Sequence, residues 1–146
     1  MSSAPLPPPE ALLPHRPPFL FIDRVSRCEE RHVVAHRLFP ADEPFFAGHF
    51  PTRPVVPGVI LIEGLAQTLG YWALRDHPDH WVLLTGVEGA KFSQPVSPGD
   101  EVRFMVEIQR ARRGLVVAQG SCYVGDQQVA RAEIKGFLQP RESEST

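Results

Sequence analysis

The sequence predicts an α+β domain in which a curved antiparallel sheet covers one long central helix. Residues 59–74 are apolar almost all round, which is typical of a buried helix. Residues 101–110 and 127–138 alternate apolar with polar side chains, the period of a strand with one buried face. A helix that is apolar on every side must be buried, and the predicted strands can form the sheet that packs over it.

The chain has 146 residues, the size of a single domain. Residues 1–11 are rich in proline, serine and alanine and are expected to form a mobile tail. Residues 12–139 are expected to form the one domain, and residues 140–146 a polar C-terminal tail.

Two strands are expected before the helix, at residues 19–27 and 31–38. Residues 40–57 hold too many prolines for a regular element, and a loop this long in a small domain is usually functional. The helix is expected from Pro57 to Arg75, because proline suits its first turn and residues 76–79 end it.

Four further segments complete a sheet of five or six strands. Residues 81–87 read as an apolar strand that Gly89 breaks and residues 90–92 resume. Residues 101–110, the continuously apolar 115–124 and residues 127–138 follow, and Gly125-Asp126 marks a hairpin turn between the last two.

The composition excludes several classes of protein. A net charge of −2 gives no general attraction to nucleic acid or to an anionic membrane. No long uninterrupted apolar run and no basic leader are present, so a cytoplasmic protein is expected. Cys28 and Cys122 lack metal-binding spacing and are expected to be free thiols in a reducing compartment.

Two polar side chains stand out on the apolar helix. Glu63 and Gln67 are four residues apart and therefore lie on one helix face. An unpaired buried carboxylate costs several kcal/mol or takes up a proton. A structural carboxylate held by backbone or arginine is the plainer interpretation. A carboxyl group in an apolar pocket also suits proton transfer near neutral pH.

His49 is placed differently from the other five histidines, between Gly48 and Phe50-Pro51 just before the helix. A histidine in a loop is usually only a solvated residue. No HExxH or cysteine cluster supports a metal site. His49 and Glu63 together supply one near-neutral base and one acid, the minimum for removing water across two adjacent carbons.

The same stretch resembles a family motif: Gly48-His49-Phe50-Pro51, then Pro57-Gly58 at a helix start, then Glu63 with Ala66-Gln67. Further matches are Leu13-Pro14-His15-Arg16 upstream and Ala90-Lys91-Phe92 and Pro98-Gly99-Asp100 downstream. The chain is similar, from residue 12 to residue 138, to the 3-hydroxyacyl-[acyl-carrier-protein] dehydratases of the FabA/FabZ family. The resemblance implies a hotdog fold, homodimers, further assembly into hexamers in many members, and no cofactor or metal.

By resemblance, His49 takes the C2 proton of a (3R)-3-hydroxyacyl thioester and Glu63 helps the C3 hydroxyl to leave, giving a trans-2-enoyl thioester. The N–H of Gly58, at the helix N-terminus, is expected to polarise the thioester carbonyl. His49 of one subunit would face Glu63 of the other. Glu63, where the FabA type has aspartate, favours simple dehydration on an acyl carrier protein in fatty acid biosynthesis.

Two further groups of residues are functional candidates. An acyl tunnel is expected along Phe45, Phe46, Val59, Ile62 and Phe92, with core packing as the alternative for each residue. Arg110, Arg112 and Arg113 form a basic cluster that would dock the carrier protein, with a solvated turn as the alternative.

The chain departs from the family pattern at Thr52, at Gly64 and at Ser93-Gln94. Gly64 is expected to weaken the helix by up to about 1 kcal/mol and to open space beside Glu63. Gly64 and Ser93-Gln94, which replaces a commonly basic pair, motivate a second interpretation, a dehydratase of a specialised lipid, polyketide or aryl-polyene pathway. A third is a hotdog thioesterase or a non-catalytic acyl-binding subunit.

Overall fold

The computed structural model describes residues 5–142. In that range, no helix is long and apolar enough to span a membrane. The elements are a short helix α1 (Pro9–Leu12), strands β1 (Arg24–Cys28) and β2 (His32–Leu38), a 3₁₀ turn (Pro44–Ala47), the long helix α2 (Gly58–Leu74), and strands β3 (His80–Phe92), β4 (Glu101–Arg112), β5 (Leu115–Val124) and β6 (Gln127–Pro140).

The six strands form one antiparallel sheet in the order β1-β2-β4-β5-β6-β3. Helix α2 packs on one face of this sheet and contacts β2 to β6. The alternation predicted for β4 is present, since Val102, Phe104, Val106 and Ile108 are all buried. The predicted α+β architecture of a sheet around one central helix is confirmed.

Helix α2 begins and ends within one residue of the predicted bounds. Its side chains are buried on most sides, including Leu65 and Leu69, which are at most 1% exposed. Two glycines allow helix and sheet to approach closely. A Cβ at Gly64 would lie 2.2 Å from Cζ of Phe104, and one at Gly120 would lie 2.9 Å from Leu65. The space expected beside Gly64 is therefore filled by the Phe104 ring.

The N-terminal segments differ from the sequence prediction. Of the expected first strand, only residues 24–27 are in the sheet, because residues 19–21 instead lie along α2, held by Gln67. Within the predicted tail, Pro9 is buried in α1, and the Tyr71 hydroxyl donates to the Pro7 carbonyl across 2.7 Å. Residues 7–11 thus contact the domain, while residues 1–4 of that tail lie outside the described residues.

Strand β3 forms one edge of the sheet and runs without interruption from His80 to Phe92. The predicted break at Gly89 is instead a bulge, in which Gly89 adopts a φ of 62° that glycine tolerates. The strand is long and largely exposed, with Trp81, Leu83, Leu84, Val87 and Phe92 each at least 39% exposed. A long apolar edge of this kind is a surface for pairing with another chain.

Candidate active site

Glu63 lies on α2 with its side chain 21% exposed, less deeply buried than the apolar helix suggested. The Nε2 amide of Gln67 donates to Glu63 Oε2 across 3.0 Å. The four-residue spacing therefore brings the two side chains together as predicted. Among the described residues, Glu63 Oε1 accepts no hydrogen bond, so that this oxygen is available to a ligand.

Gln67 is 1% exposed, and its amide uses both N–H donors and one lone pair of its oxygen. Its Oε1 accepts from the Phe21 N–H at 2.8 Å, and its Nε2 donates to the Phe19 carbonyl at 3.0 Å as well as to Glu63. The Phe21 N–H can only donate, which settles the orientation of the amide. Gln67 thus fixes both the segment 19–21 and one oxygen of Glu63.

His15 is the second polar neighbour of Glu63, with its Nε2 3.7 Å from Glu63 Oε2. Burial lowers the pKa of His15, the negative charge of Glu63 opposes that effect, and Arg16 adds to it. The imidazole is accordingly held neutral near pH 7. From the sequence, the motif that contains His15 is interpreted as structural. Its approach to Glu63 was not predicted, because 48 residues separate the two and no periodic pattern connects them.

His49 lies in the loop before α2, where its ring stacks on Phe50 at 4.1 Å between ring centroids. The peptide bond between these two residues is cis. His49 Nδ1 lies 3.0 Å from the Val55 carbonyl oxygen, which can only accept. Nδ1 therefore carries the hydrogen, and the lone pair of the neutral ring is on Nε2. Nε2 is the atom that can take a proton.

A cavity of ≈ 510 Å³ brings His49 together with the N-terminus of α2 and the end of β3. Three residues predicted for the site, Gly58, Val59 and Phe92, line it beside His49. A Cβ at Gly58 would lie 2.9 Å from Cε1 of Phe92, so that a larger residue there would have to displace this ring. Among the residues that the structure describes, no side chain caps the helix, which leaves the N–H groups of Gly58 and Val59 for a ligand.

Glu63 lines a different cavity, of ≈ 240 Å³, together with His15, Phe19 and residues 82–84 of β3. Within one chain, therefore, the two predicted catalytic residues do not share a cavity. The apolar residues predicted to line the acyl tunnel do not lie together either. Val59 and Phe92 line the His49 cavity and are 74% and 51% exposed, whereas Phe46 and Ile62 belong to the buried core and Phe45 packs against it.

The predicted basic cluster lies at the other end of α2. Arg112 and Arg113 line an open cavity of ≈ 480 Å³ with His77, His80 and Trp72, which we call the C-terminal groove. Arg110 is exposed on β4 but does not line this groove. Within residues 5–142, none of the three arginines forms an ion pair.

The solved structures similar to this chain are hotdog proteins. The dehydratase heterocomplex ApeI:P from Xenorhabdus doucetiae matches with a TM-score of 0.82 over 94% of both chains at 19% identity. The protein smu.793 from Streptococcus mutans, solved with acetyl CoA, has a TM-score of 0.66 over 89% of this chain and 98% of that one at 15% identity. At such identities the likeness shows the fold alone.

Sequence relatives define the family more closely. A FabA-like domain matches residues 13–133, and the chain belongs to this family. The FabZ 3-hydroxyacyl-[acyl-carrier-protein] dehydratase of Symbiobacterium thermophilum is 44% identical over 87% of this chain and 92% of its own. That of Chloroflexus aggregans is 42% identical over 85% and 88%. The predicted FabZ-like resemblance is thereby confirmed.

Proposed function

We propose that this protein is a hydro-lyase that converts (3R)-3-hydroxyacyl thioesters on acyl carrier protein into trans-2-enoyl thioesters in fatty acid biosynthesis. Its FabZ relatives support this substrate class. The observation that carries the chemistry is that the chain holds both a histidine with its Nδ1 hydrogen bonded and a carboxyl group with its Oε2 bonded, which leaves His49 Nε2 and Glu63 Oε1 without a partner among the described residues. These are the base and the acid that loss of water requires.

His49 acts as the base. With its Nδ1 hydrogen held by the Val55 carbonyl, Nε2 takes the C2 proton of the substrate. That carbon becomes acidic only if the thioester oxygen is stabilised as it gains negative charge. The Gly58 N–H lines the same cavity at the positive end of α2, where backbone donors favour developing negative charge. His49 thus acts at C2 of the enolate, and the Gly58 N–H stabilises its oxygen.

Glu63 acts as the acid. The electron pair of the broken C2–H bond, held in the enolate, forms the C2–C3 double bond as the C3–O bond breaks. The Glu63 carboxyl gives its proton to the departing hydroxyl, which leaves as water. The reaction ends with His49 protonated and Glu63 ionised, and solvent returns the enzyme to its starting state. No cofactor or metal takes part in these steps.

The complete site needs two subunits, because His49 and Glu63 line separate cavities in one chain. The exposed edge of β3 supplies the surface on which a second copy would pair. In an antiparallel pairing the start of one β3 lies beside the end of the other. Residues 82–84, next to Glu63, would then approach Phe92 of the partner subunit, next to its histidine.

The carrier protein docks on the C-terminal groove. Arg112 and Arg113 there attract an acidic surface or the phosphate of a pantetheine arm. Helix α2 has 17 residues and is about 25 Å long, so that this groove is far from Gly58 of its own chain. In the antiparallel pairing His80, at the start of β3, would lie near the end of the partner subunit's β3, where the His49 cavity opens.

The test is to follow the absorbance of the enoyl thioester with purified protein and both 3-hydroxyacyl and trans-2-enoyl substrates. The expected result is that the enzyme interconverts the 3-hydroxyacyl and enoyl thioesters. The molecular mass of the protein in solution should correspond to a dimer or to a hexamer built from dimers. Release of free thiol without enoyl formation would indicate a thioesterase. No turnover of any chain length would overturn the proposed activity.

A further inference from the structure

We propose that His15 is a positioning residue for the reaction: its ring N–H and the Gln67 amide together hold Oε2 of Glu63 and stabilise this carboxylate once it has given up its proton. The inference rests on the proposed function and adds a residue outside the predicted pair. Gln67 and His15, the two polar side chains described beside Glu63, both approach the same oxygen, Oε2.

The His15 side chain lies in a position that suits contact with Glu63. It is 27% exposed and lines the Glu63 cavity among Leu13, Phe19 and Val82. Its Nδ1 is buried and has no hydrogen-bond partner among the described residues. Its Nε2 lies 3.7 Å from Glu63 Oε2, slightly beyond hydrogen-bond distance, and such contacts commonly shorten when a substrate is bound.

The charged groups around His15 determine which nitrogen carries the hydrogen. Glu63 faces Nε2, and Arg16 is the other charge that acts on the ring. The Arg16 guanidinium is occupied by the carbonyls of Glu10, Leu13 and His15. Since burial keeps the ring neutral, only one nitrogen is protonated, and the carboxylate favours Nε2–H. A neutral donor can stabilise Glu63 without taking its proton.

This arrangement matters at one step of the reaction. Glu63 changes from neutral to negative as its proton leaves with the hydroxyl, and an acid works best when donors already face the oxygen that gains charge. Gln67 supplies one N–H and His15 the second. Oε1, which accepts no hydrogen bond from residues 5–142, is left to face the substrate.

The kinetic test compares His15→Leu, which removes the donor, with His15→Gln, whose amide nitrogen reproduces the Nε2 position. Because the residue acts on the chemical step, we expect kcat to fall about 10-fold or more in His15→Leu with KM nearly unchanged. His15→Gln should recover most of the loss. His32→Leu, on the outer face of the sheet, serves as the matched control and should keep the kcat of the wild type.

Wild-type turnover establishes the proposed function independently, so that failure of this inference is recognisable. It is overturned if folded His15→Leu keeps kcat, or if His15→Gln is as slow as His15→Leu. Should His15→Leu not fold, the ¹⁵N resonances of the His15 ring decide the question. They should report Nε2–H in the wild type and a loss of this preference in Glu63→Gln, whereas an Nδ1–H ring in the wild type would contradict the inference.

Discussion

The Gln67 amide joins Glu63 to the segment before β1: Nε2 donates to Glu63 Oε2 across 3.0 Å, while Oε1 accepts from the Phe21 N–H across 2.8 Å. A single buried side chain thereby couples the position of the acid to the packing of residues 19–21. This coupling has consequences for both stability and activity.

Gln67→Leu should be strongly destabilised. The change leaves the buried Phe21 N–H without its partner, and the Phe19 carbonyl also loses a donor. Each unsatisfied group costs about 1–3 kcal/mol, so that urea denaturation should show a loss of about 3 kcal/mol. Gln119→Leu is the matched control, since Gln119 is exposed on the sheet and its side-chain amide donates to Glu133 in an exposed hydrogen bond. An equal loss in both variants would contradict the role assigned to Gln67.

Gly64→Ala should also destabilise the fold, although alanine favours helix by about 1 kcal/mol. Its Cβ would lie 2.2 Å from Phe104 Cζ, and Phe104 is fully buried in a strand of the sheet. Overpacking of this kind costs about 1–3 kcal/mol and should outweigh the helical gain. The double variant Gly64→Ala with Phe104→Leu should recover part of the loss.

Gly70→Ala, in the same helix, is the control for that experiment. A Cβ at Gly70 would meet only Leu13 Cδ2 at 3.3 Å and Val82 Cβ at 3.8 Å. We expect its free energy of unfolding to equal or slightly exceed that of the wild type. If Gly64→Ala were as stable as Gly70→Ala, the close packing of Phe104 on the helix would be wrong.

The folding stability should fall in mild acid because of two partly buried histidines. Burial lowers the pKa of both His15 and His36 below the ordinary value of 6.5. Below pH 6.5 the unfolded chain therefore binds more protons than the folded one, and stability is lost as the pH falls toward the lowered values. His15→Gln should reduce this slope in urea titrations at several pH values.

Binding of the carrier protein should depend on Arg112 and Arg113. Changing both to glutamate should raise KM for a carrier-linked substrate about 10-fold with little effect on kcat, because rim charges mainly steer association. A short N-acetylcysteamine thioester should be turned over as by the wild type. Arg131→Glu, on an exposed position of β6, is the control. Equal effects on both substrates would place the docking surface elsewhere.

Much of the fold could be predicted from periodicity. The bounds of α2 and the alternation along β4 follow directly from which residues are apolar. The path of residues 19–21 could not be predicted in this way. They read as a strand by composition, yet Gln67 is hydrogen-bonded to their backbone. Hydrogen bonds to the distant Gln67 amide determine the path of this segment, and local sequence propensity cannot predict such tertiary contacts.

The site residues also differ in whether local sequence spacing could predict their contacts. Glu63 and Gln67 were predicted as neighbours because four residues separate them on a helix. His15 was missed, since its approach to Glu63 depends on how the N-terminal segment crosses α2. For Phe46 and Ile62, composition could not distinguish a tunnel lining from core, and the structure buries both. The nature of the reaction came from motif resemblance, which the family match supports.

The central claim is that His49 of one subunit works with Glu63 of the other, and mixing two inactive variants tests it most directly. His49→Ala and Glu63→Gln should each be inactive alone as folded dimers. After joint refolding in equal amounts, half of the dimers should contain both variants, and each of these should have one intact site. We predict recovery of about a quarter of the wild-type activity. Mixed dimers without any recovered activity would contradict the account.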